Sequence, residues 1–273
     1  MTCAVPFRYV EHMLAVAVVA GDVGATFILD TGIGVNLISP GLAAKVGCVP
    51  LGETYTGRRM SGQELTMPVS ALGSLTLGDH TGENVPVVVF DMGGMASEHG
   101  VEGIISLTSF RSAPVTIDYE AGVIVTEDER SLADRASRGM PVAIDVREDG
   151  PYSTDVYLDL TLPGGRSVSV EVDTGSDNLI LNLPLAAQNA IDLEAGTTRK
   201  LTGQDETGHE YARYFTTLPG EISLTAAPAF GQHNPRVMFQ KIIHDGLIGD
   251  AFLRNFVTTY DLARSRMIFA PRG

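Results

Sequence analysis

The sequence predicts a mainly β protein with short helices, built from two similar halves. Strand-like segments bounded by Gly, Asp and Pro recur along the chain, whereas helix-like segments are few and short. A set of landmarks also repeats at one fixed spacing. The 273 residues suffice for one large domain or two of moderate size, each with its own core.

The clearest landmark is an Asp-Thr-Gly triplet that follows an apolar run in each half. Asp30 ends FILD and Asp173 ends VEVD, so the two triplets lie 143 residues apart (173 − 30). The segments GIISLTSF from Gly103 and GLIGDAFL from Gly246 keep this spacing, as do VTIDY and TTYDL. Three landmarks with one offset indicate an internal duplication.

Each half contains strand-like segments and one short helix-like stretch. The helix-like stretches follow the triplets, at residues 40–46 and 184–190. A charged stretch at residues 126–141 is interpreted as the connection between the halves, although an ordinary surface helix would have the same composition. We therefore predict an N-terminal unit of residues 1–130 and a C-terminal unit of residues 131–273. The predicted strands are AVAVVAG, ATFILD, SALGSLTLG and VPVVVFDM, then DVYLDLTLPGG, SVSVEVD, EISLT and RSRMIFA.

The acidic composition excludes several classes of partner. The chain has 33 acidic and 19 basic side chains, a net charge of -14, which repels phosphate backbones and anionic lipid. We expect neither nucleic acid nor a membrane as a partner. The only cysteines, Cys3 and Cys48, give no disulfide framework, and the six histidines lack metal-ligand spacing. No cofactor and no metal are expected.

The apolar run from Met13 to Ala20 is too short to span a bilayer. The residues before it, including Glu11 and His12, make a poor signal-peptide start. Cytoplasmic residence is therefore the expectation.

The paired triplets with their matched downstream segments resemble those of the aspartic peptidases. Each half is similar to one retropepsin-like lobe, and two lobes in one chain is the pepsin-like arrangement. The resemblance extends from about Tyr9 to Phe269. It implies two pseudo-symmetric β-barrel lobes with a cleft between them and Asp30 and Asp173 as the catalytic pair. Both lobes lie in one chain, so dimerisation is not required.

The resemblance also assigns supporting roles in the two active-site loops. Thr31 and Thr174 would cross-link the loops through hydroxyl hydrogen bonds, and Gly32 and Gly175 would let the backbone approach the carboxylates. Ser176 would donate a hydroxyl hydrogen bond to its neighbouring carboxylate. As in the family's own carboxyl pairs, the two aspartates would share one proton and act as acid and base.

Two departures from the family pattern lie in the first half. Ile33 stands where the second half has a serine, and Ser106 stands where the second half has Gly249. Because a hydroxyl donor favours an ionised carboxylate, we expect Asp173 to be the ionised base and Asp30 to hold the proton. Ser106 either narrows the site or has no effect.

Two similar segments, MSGQ and LTGQ, are candidates for hairpin tips that close over a peptide. They supply Ser61, Gly62 and Gln63 from the first half, and Gly203 and Gln204 from the second. Glycine at any hairpin tip also has a purely structural explanation.

These features predict an aspartic endopeptidase that hydrolyses peptide bonds of an extended polypeptide with an activated water, best below neutral pH. An alternative is a catalytically weak or inactive homologue that uses the cleft as a peptide- or protein-binding module, which Ile33 and Ser106 favour. A third is a duplicated structural protein whose aspartates only fix loops, which leaves the paired triplets unexplained.

Overall fold

The computed structural model describes residues 3–204 and 208–272, which form two large β-sheets with a few short helices. The predicted mainly β fold with two pseudo-symmetric lobes is confirmed. Within the described residues, no helix is long and apolar enough to cross a membrane.

The first half forms a closed barrel and four further strands. Six of its strands close in the order β2-β3-β8-β4-β7-β6, because β6 pairs back onto β2. The elements are β1 (Ala4–Val10), β2 (Met13–Ala20), β3 (Val23–Leu29), β4 (Leu37–Ile38), α1 (Pro40–Val46), β5 (Val49–Arg58), β6 (Glu64–Leu77), β7 (His80–Val89), α2 (Gly94–His99), β8 (Val101–Ile105), a 3-10 turn (Leu107–Phe110), β9 (Val115–Asp118) and β10 (Val123–Thr126).

The second half follows a connecting helix, α3 (Glu129–Arg138), which contains the boundary that we predicted at residue 130. Most of its strands form a sheet in the order β16-β17-β20-β15-β21-β14-β13-β18-β19, with β12 also paired to β13. The elements are β11 (Met140–Ala143), β12 (Asp145–Asp149), β13 (Ser153–Thr161), β14 (Ser167–Val172), β15 (Leu179–Asn182), α4 (Pro184–Gln188), β16 (Arg199–Gln204), β17 (Glu210–Thr217), β18 (Glu221–Leu224), β19 (Ala227–His233), β20 (Arg236–Gln240), β21 (Gly246–Ile248), α5 (Asp250–Leu253), β22 (Phe256–Asp261), a 3-10 turn (Leu262–Arg264) and β23 (Arg266–Pro271).

Six strands of the larger sheet join the two halves. Their order is β11-β23-β22-β9-β10-β1, so three strands of the second half meet three of the first. At the junction Thr116 pairs with Thr259, and their buried hydroxyls form a 2.7 Å hydrogen bond. These threonines are 143 residues apart, the offset of the sequence repeat. A residue that contacts its own repeat equivalent lies on the pseudo-twofold axis.

The strand before each triplet is buried on both faces, which explains its apolar sequence. In β3, Phe27 and Leu29 point into the main core and Ile28 points to the opposite face, and all three are fully buried. The partner strand β8 is parallel, as is β21 beside β14. Parallel strands covered on both faces favour continuous apolar runs. In β14, however, the residue on the opposite face is Glu171.

The repeated landmark glycines lie where the backbone approaches another strand closely. A Cβ atom at Gly103 would lie 2.6 Å from the carbonyl oxygen of Leu37, and one at Gly246 would lie 2.6 Å from that of Ile180. Real Cβ atoms do not approach backbone atoms so closely. Each lobe therefore requires glycine at this landmark.

We predict that Gly103→Ala and Gly246→Ala each lower the free energy of unfolding by about 1–3 kcal/mol, because the added methyl overpacks a β-strand contact. Urea unfolding followed by circular dichroism measures this change. Gly73→Ala is the matched control, because this strand glycine has open space around its Cβ position. A loss in the control equal to that in the landmark variants would contradict the steric explanation.

Candidate active site

The ends of β3 and β14 bring Asp30 and Asp173 together. The backbone N–H of Asp30 donates to the carbonyl of Ile105 at 3.1 Å, and that of Asp173 donates to Ile248 at 3.0 Å. Each triplet thus begins beside the parallel strand that carries its landmark glycine. The two carboxyls lie close enough for each to shift the pKa of the other, and both residues remain partly exposed.

Two threonines lock the triplet loops to each other. The backbone N–H of Thr31 donates to Thr174 Oγ1 at 3.1 Å, and that of Thr174 donates to Thr31 Oγ1 at 3.0 Å. The hydroxyl of Thr31 donates to the carbonyl of Val172 at 2.7 Å, and that of Thr174 to Leu29 at 3.1 Å. Both threonines are fully buried. The four hydrogen bonds fix the separation of the two aspartates.

The triplet glycines provide space and hydrogen-bond donors. The N–H of Gly32 donates to Asp30 Oδ1 at 2.9 Å, and that of Gly175 donates to Asp173 Oδ1 at 2.8 Å. A Cβ atom at Gly32 would lie 2.5 Å from the Asp173 carboxyl, and one at Gly175 would clash with Asp30 in the same way. Any other residue at either position would separate the pair.

Burial raises the pKa of both aspartates above the ordinary value for this residue. The pKa of Asp173 is raised further, because the charge of Asp30 adds to its burial. The ionised form of Asp30 is favoured by backbone N–H groups of Gly32, Ile33 and Gly175. Two carboxyls with raised pKa values at such close range hold one proton between them.

The hydroxyl hydrogen bond that the sequence led us to expect from Ser176 to Asp173 is not formed. The Ser176 hydroxyl donates to the carbonyl of Asn178 at 3.2 Å, within its own loop, instead of to the carboxylate of Asp173. Only the backbone N–H of Ser176 favours the ionised form of Asp173. The missing hydroxyl at Ile33 consequently does not decide which aspartate is charged.

Ser106 fits its position because the first triplet loop is one residue longer than the second. Ser106 is fully buried, and its N–H and hydroxyl donate to Asn36 Oδ1 at 2.9 and 3.2 Å. A Cβ atom at the equivalent Gly249 would lie 2.8 Å from the carbonyl oxygen of Asn178. Asn36 lies six residues after Asp30, whereas Asn178 lies five after Asp173. Ser106 thus supports the loop.

The first candidate hairpin crosses to the second lobe. Ser61, Gly62 and Gln63 form the turn between β5 and β6, and Gly62 has the left-handed backbone angle φ 88° that such a turn requires. The carbonyl of Met60 accepts a hydrogen bond from the N–H of Ile243 at 2.9 Å. The Met60 side chain packs on a patch of the second lobe, which consists of Ile180, Met238, Ile242 and Leu247.

The expectation for the second hairpin was wrong. Gly203 and Gln204 lie inside strand β16 and not at a turn, and Gly203 pairs with Tyr211. Both residues are exposed, and β16 lies at the edge of its sheet. The likeness of LTGQ to MSGQ misled because β16 continues through Gln204.

A charged group that the sequence did not reveal lies beside the two aspartates. Glu171 precedes Asp173 by two residues, so both side chains point to the same face of the sheet. Its signal in the sequence was a charge at the position where the first half has Ile28. The other residues of this charged group come from distant segments of the chain. They are Arg147, Asp155, Tyr157 and His244. No group of three or more His, Cys, Asp or Glu among the described residues is arranged to hold a metal ion.

Comparisons with known proteins agree with this architecture. A family model described as aspartyl protease matches residues 16–108. Basic 7S globulin from soybean superposes with a TM-score of 0.57 at 10% identity, over 98% of this chain and 93% of that one. A structure described as edgp gives 0.56 at 10% identity, over 99% and 94%. At this identity the two structures show the fold alone, and no curated protein matches the sequence. The first half thus matches an aspartyl protease family model, and the whole chain shares the fold of these two structures.

Proposed function

We propose that the protein is an aspartic endopeptidase that hydrolyses peptide bonds of an extended polypeptide. The observation that supports this most is the pair of carboxyls that the crossed threonine hydrogen bonds hold next to each other while both residues remain partly exposed. Amide hydrolysis needs a base for the attacking water and an acid for the carbonyl oxygen. One ionised and one protonated carboxyl supply both at the same place.

In the proposed reaction, ionised Asp30 takes a proton from water as the water oxygen bonds to the peptide carbonyl carbon. Asp173 gives its proton to the carbonyl oxygen, so a neutral tetrahedral diol forms. The proton on Asp30 then passes to the leaving nitrogen, the C–N bond breaks, and the Asp173 carboxylate recovers the proton of a diol hydroxyl. The pair returns to its one-proton state. The crossed threonine bonds hold the two carboxyls in position throughout.

The second candidate function is peptide or protein binding without hydrolysis. It is favoured by the hairpin between β5 and β6, called the docked hairpin, because Met60 of this hairpin packs on the second lobe. Against it, a binding module has no need for two carboxyls held at the cost of raised pKa values. Cleavage of peptides distinguishes the two functions directly.

We predict that Asp30→Asn and Asp173→Asn each lower the rate of peptide cleavage by about 100-fold or more, because each removes one half of the acid–base pair. Mass spectrometry of a diverse peptide mixture, incubated with each protein between about pH 3 and 7, measures this loss. Asp159→Asn, an exposed position on β13, is the control and keeps the wild-type rate. Retained cleavage in either pair variant would exclude the proposed reaction.

We also predict that the free energy of unfolding falls as pH rises above about 4, the ordinary pKa of a carboxyl. Burial raises the pKa of Asp155 and of Asp250 to about 6, and that of Glu171 to about 9. Groups with raised pKa hold protons in the folded state that the unfolded chain releases, so stability present at acid pH is lost through this range.

Urea unfolding at a series of pH values measures this dependence. Glu171→Gln should flatten the curve above about pH 6, because Glu171 alone of these three groups titrates there. The exposed Glu221→Gln should leave the curve unchanged. A free energy of unfolding that increases steadily over the whole pH series would contradict the raised pKa values of these three groups.

The docked hairpin predicts a barrier to peptide entry. Met60→Ser should raise the association rate of a fluorescent peptide by about tenfold, because opening no longer exposes a partly buried apolar side chain and the patch that it covers. Stopped-flow fluorescence measures this rate. Met67→Ser is the matched control, since Met67 lies in the same hairpin but packs on the first lobe. Equal rates in wild type and Met60→Ser would show that the contact does not limit entry.

A further inference from the structure

The two lobes differ at the position two residues before each catalytic aspartate. The first lobe has Ile28, which is fully buried in an apolar cluster, and the second has Glu171, which is only 6% exposed. Side chains alternate along a strand, so Glu171 lies on the same face as Asp173. A buried acid therefore replaces a buried hydrocarbon next to the reacting groups.

Strand register places this acid at the boundary between a charged and an apolar half of the sheet face. Glu171 pairs with Tyr157 on one side and with Leu247 on the other. Beyond Leu247 lies the apolar patch that holds Met60. Beyond Tyr157 lies Arg147, whose guanidinium sits 3.7 Å from the Tyr157 ring centroid. Directly paired residues of neighbouring strands share one face.

No hydrogen-bond donor reaches the Glu171 carboxyl among the described residues. The nearest base, His244, has Nε2 3.7 Å from Glu171 Oε2, which is too long for a hydrogen bond. The other ring nitrogen of His244 lies 3.3 Å from the Tyr157 hydroxyl. Arg147 donates to Asp145 at 2.8 Å instead. Glu171 is thus nine-tenths buried without a donor, but its carboxyl oxygens keep some contact with solvent. Leu247 beside it offers an apolar surface.

Such surroundings disfavour the charged form of the acid. A largely buried carboxyl without hydrogen bonds is strongly destabilised when it is ionised. Burial is also the main reason that the pKa of Glu171 is raised to about 9, and the charges of Asp155, Asp173 and Asp30 add to it. Arg147 acts in the opposite direction. The surroundings are therefore short of positive charge.

We infer that Glu171 is a specificity-determining residue that receives the cationic end of a lysine or arginine side chain of the substrate, next to the scissile bond. The inference rests on the proposed function, because it places that side chain in the cleft of the peptidase. An ammonium or guanidinium group supplies the donors and the charge that Glu171 lacks. The aliphatic stem of either side chain can lie along Leu247.

This recognition is coupled to proton release. A bound cation favours the ionised form of Glu171, so affinity for a lysine peptide relative to its norleucine analogue should rise with pH up to about 9. The comparison of two peptides cancels the titration of the catalytic pair. The titratable and charged groups that face Glu171 are Asp30, Asp155, Asp173, Arg147, Tyr157 and His244.

The experiment varies one cleaved peptide at each position flanking its cut, with lysine, arginine or norleucine. At one position kcat/KM should be about tenfold or more higher for the cationic residues than for norleucine, as expected for one charge-assisted hydrogen bond. Glu171→Gln and Glu171→Ile, the latter copying the first lobe, should both remove this preference. Glu221→Gln should retain it, because Glu221 lies 3.7 Å from His233 in a similar but exposed pair.

A binding assay separates this inference from the proposed function. Fluorescence anisotropy with the same peptides, applied to each folded variant, measures recognition without hydrolysis. A lysine preference that is lost in Glu171→Gln supports the inference even if no peptide is cut. Equal preference in wild type and Glu171→Gln overturns it while leaving hydrolysis intact. Absence of both cleavage and binding overturns both.

Discussion

The hydrogen bonds between Thr31 and Thr174 are the interaction on which the rest of the site depends. Each threonine contacts its own repeat equivalent, so the pair lies on the pseudo-twofold axis of the molecule. Thr116 and Thr259 do the same in the sheet that joins the lobes. The axis is thus fixed at two places by buried hydroxyls. The carboxyls beside the first of these contacts have no freedom to move apart.

The two aspartates lie side by side at the axis, and this closeness makes their protonation states differ. Two like carboxyls so close together cannot both be charged, so one of them keeps a proton. Each carboxyl receives a hydrogen bond from the N–H of the glycine in its own triplet, Gly32 or Gly175. The duplicated sequence thus builds two equivalent loops, and the single shared proton makes the two carboxyls inequivalent.

The repeat offset predicted the parts of the structure that the axis relates. Asp30, Asp173 and the two threonines could be placed together because the paired triplets resemble those of the aspartic peptidases. Gly203 could not be placed, since a four-letter likeness does not determine where a hairpin turns. The contact of Met60 with the second lobe depends on how the two lobes approach each other, which local patterns do not encode.

Glu171 shows most clearly what strand register determines and sequence patterns do not. Its charge was visible in VEVD, but its surroundings come from β12, β13 and β21, whose alignment with β14 is a property of the folded sheet. An apolar residue such as Ile28 would serve folding better at this position. The Met60 hairpin covers the apolar half of the same face and packs on Leu247, the direct neighbour of Glu171. Opening this hairpin would therefore expose an apolar surface and an unpartnered acid side by side, which suits a long side chain with an apolar stem and a positive end.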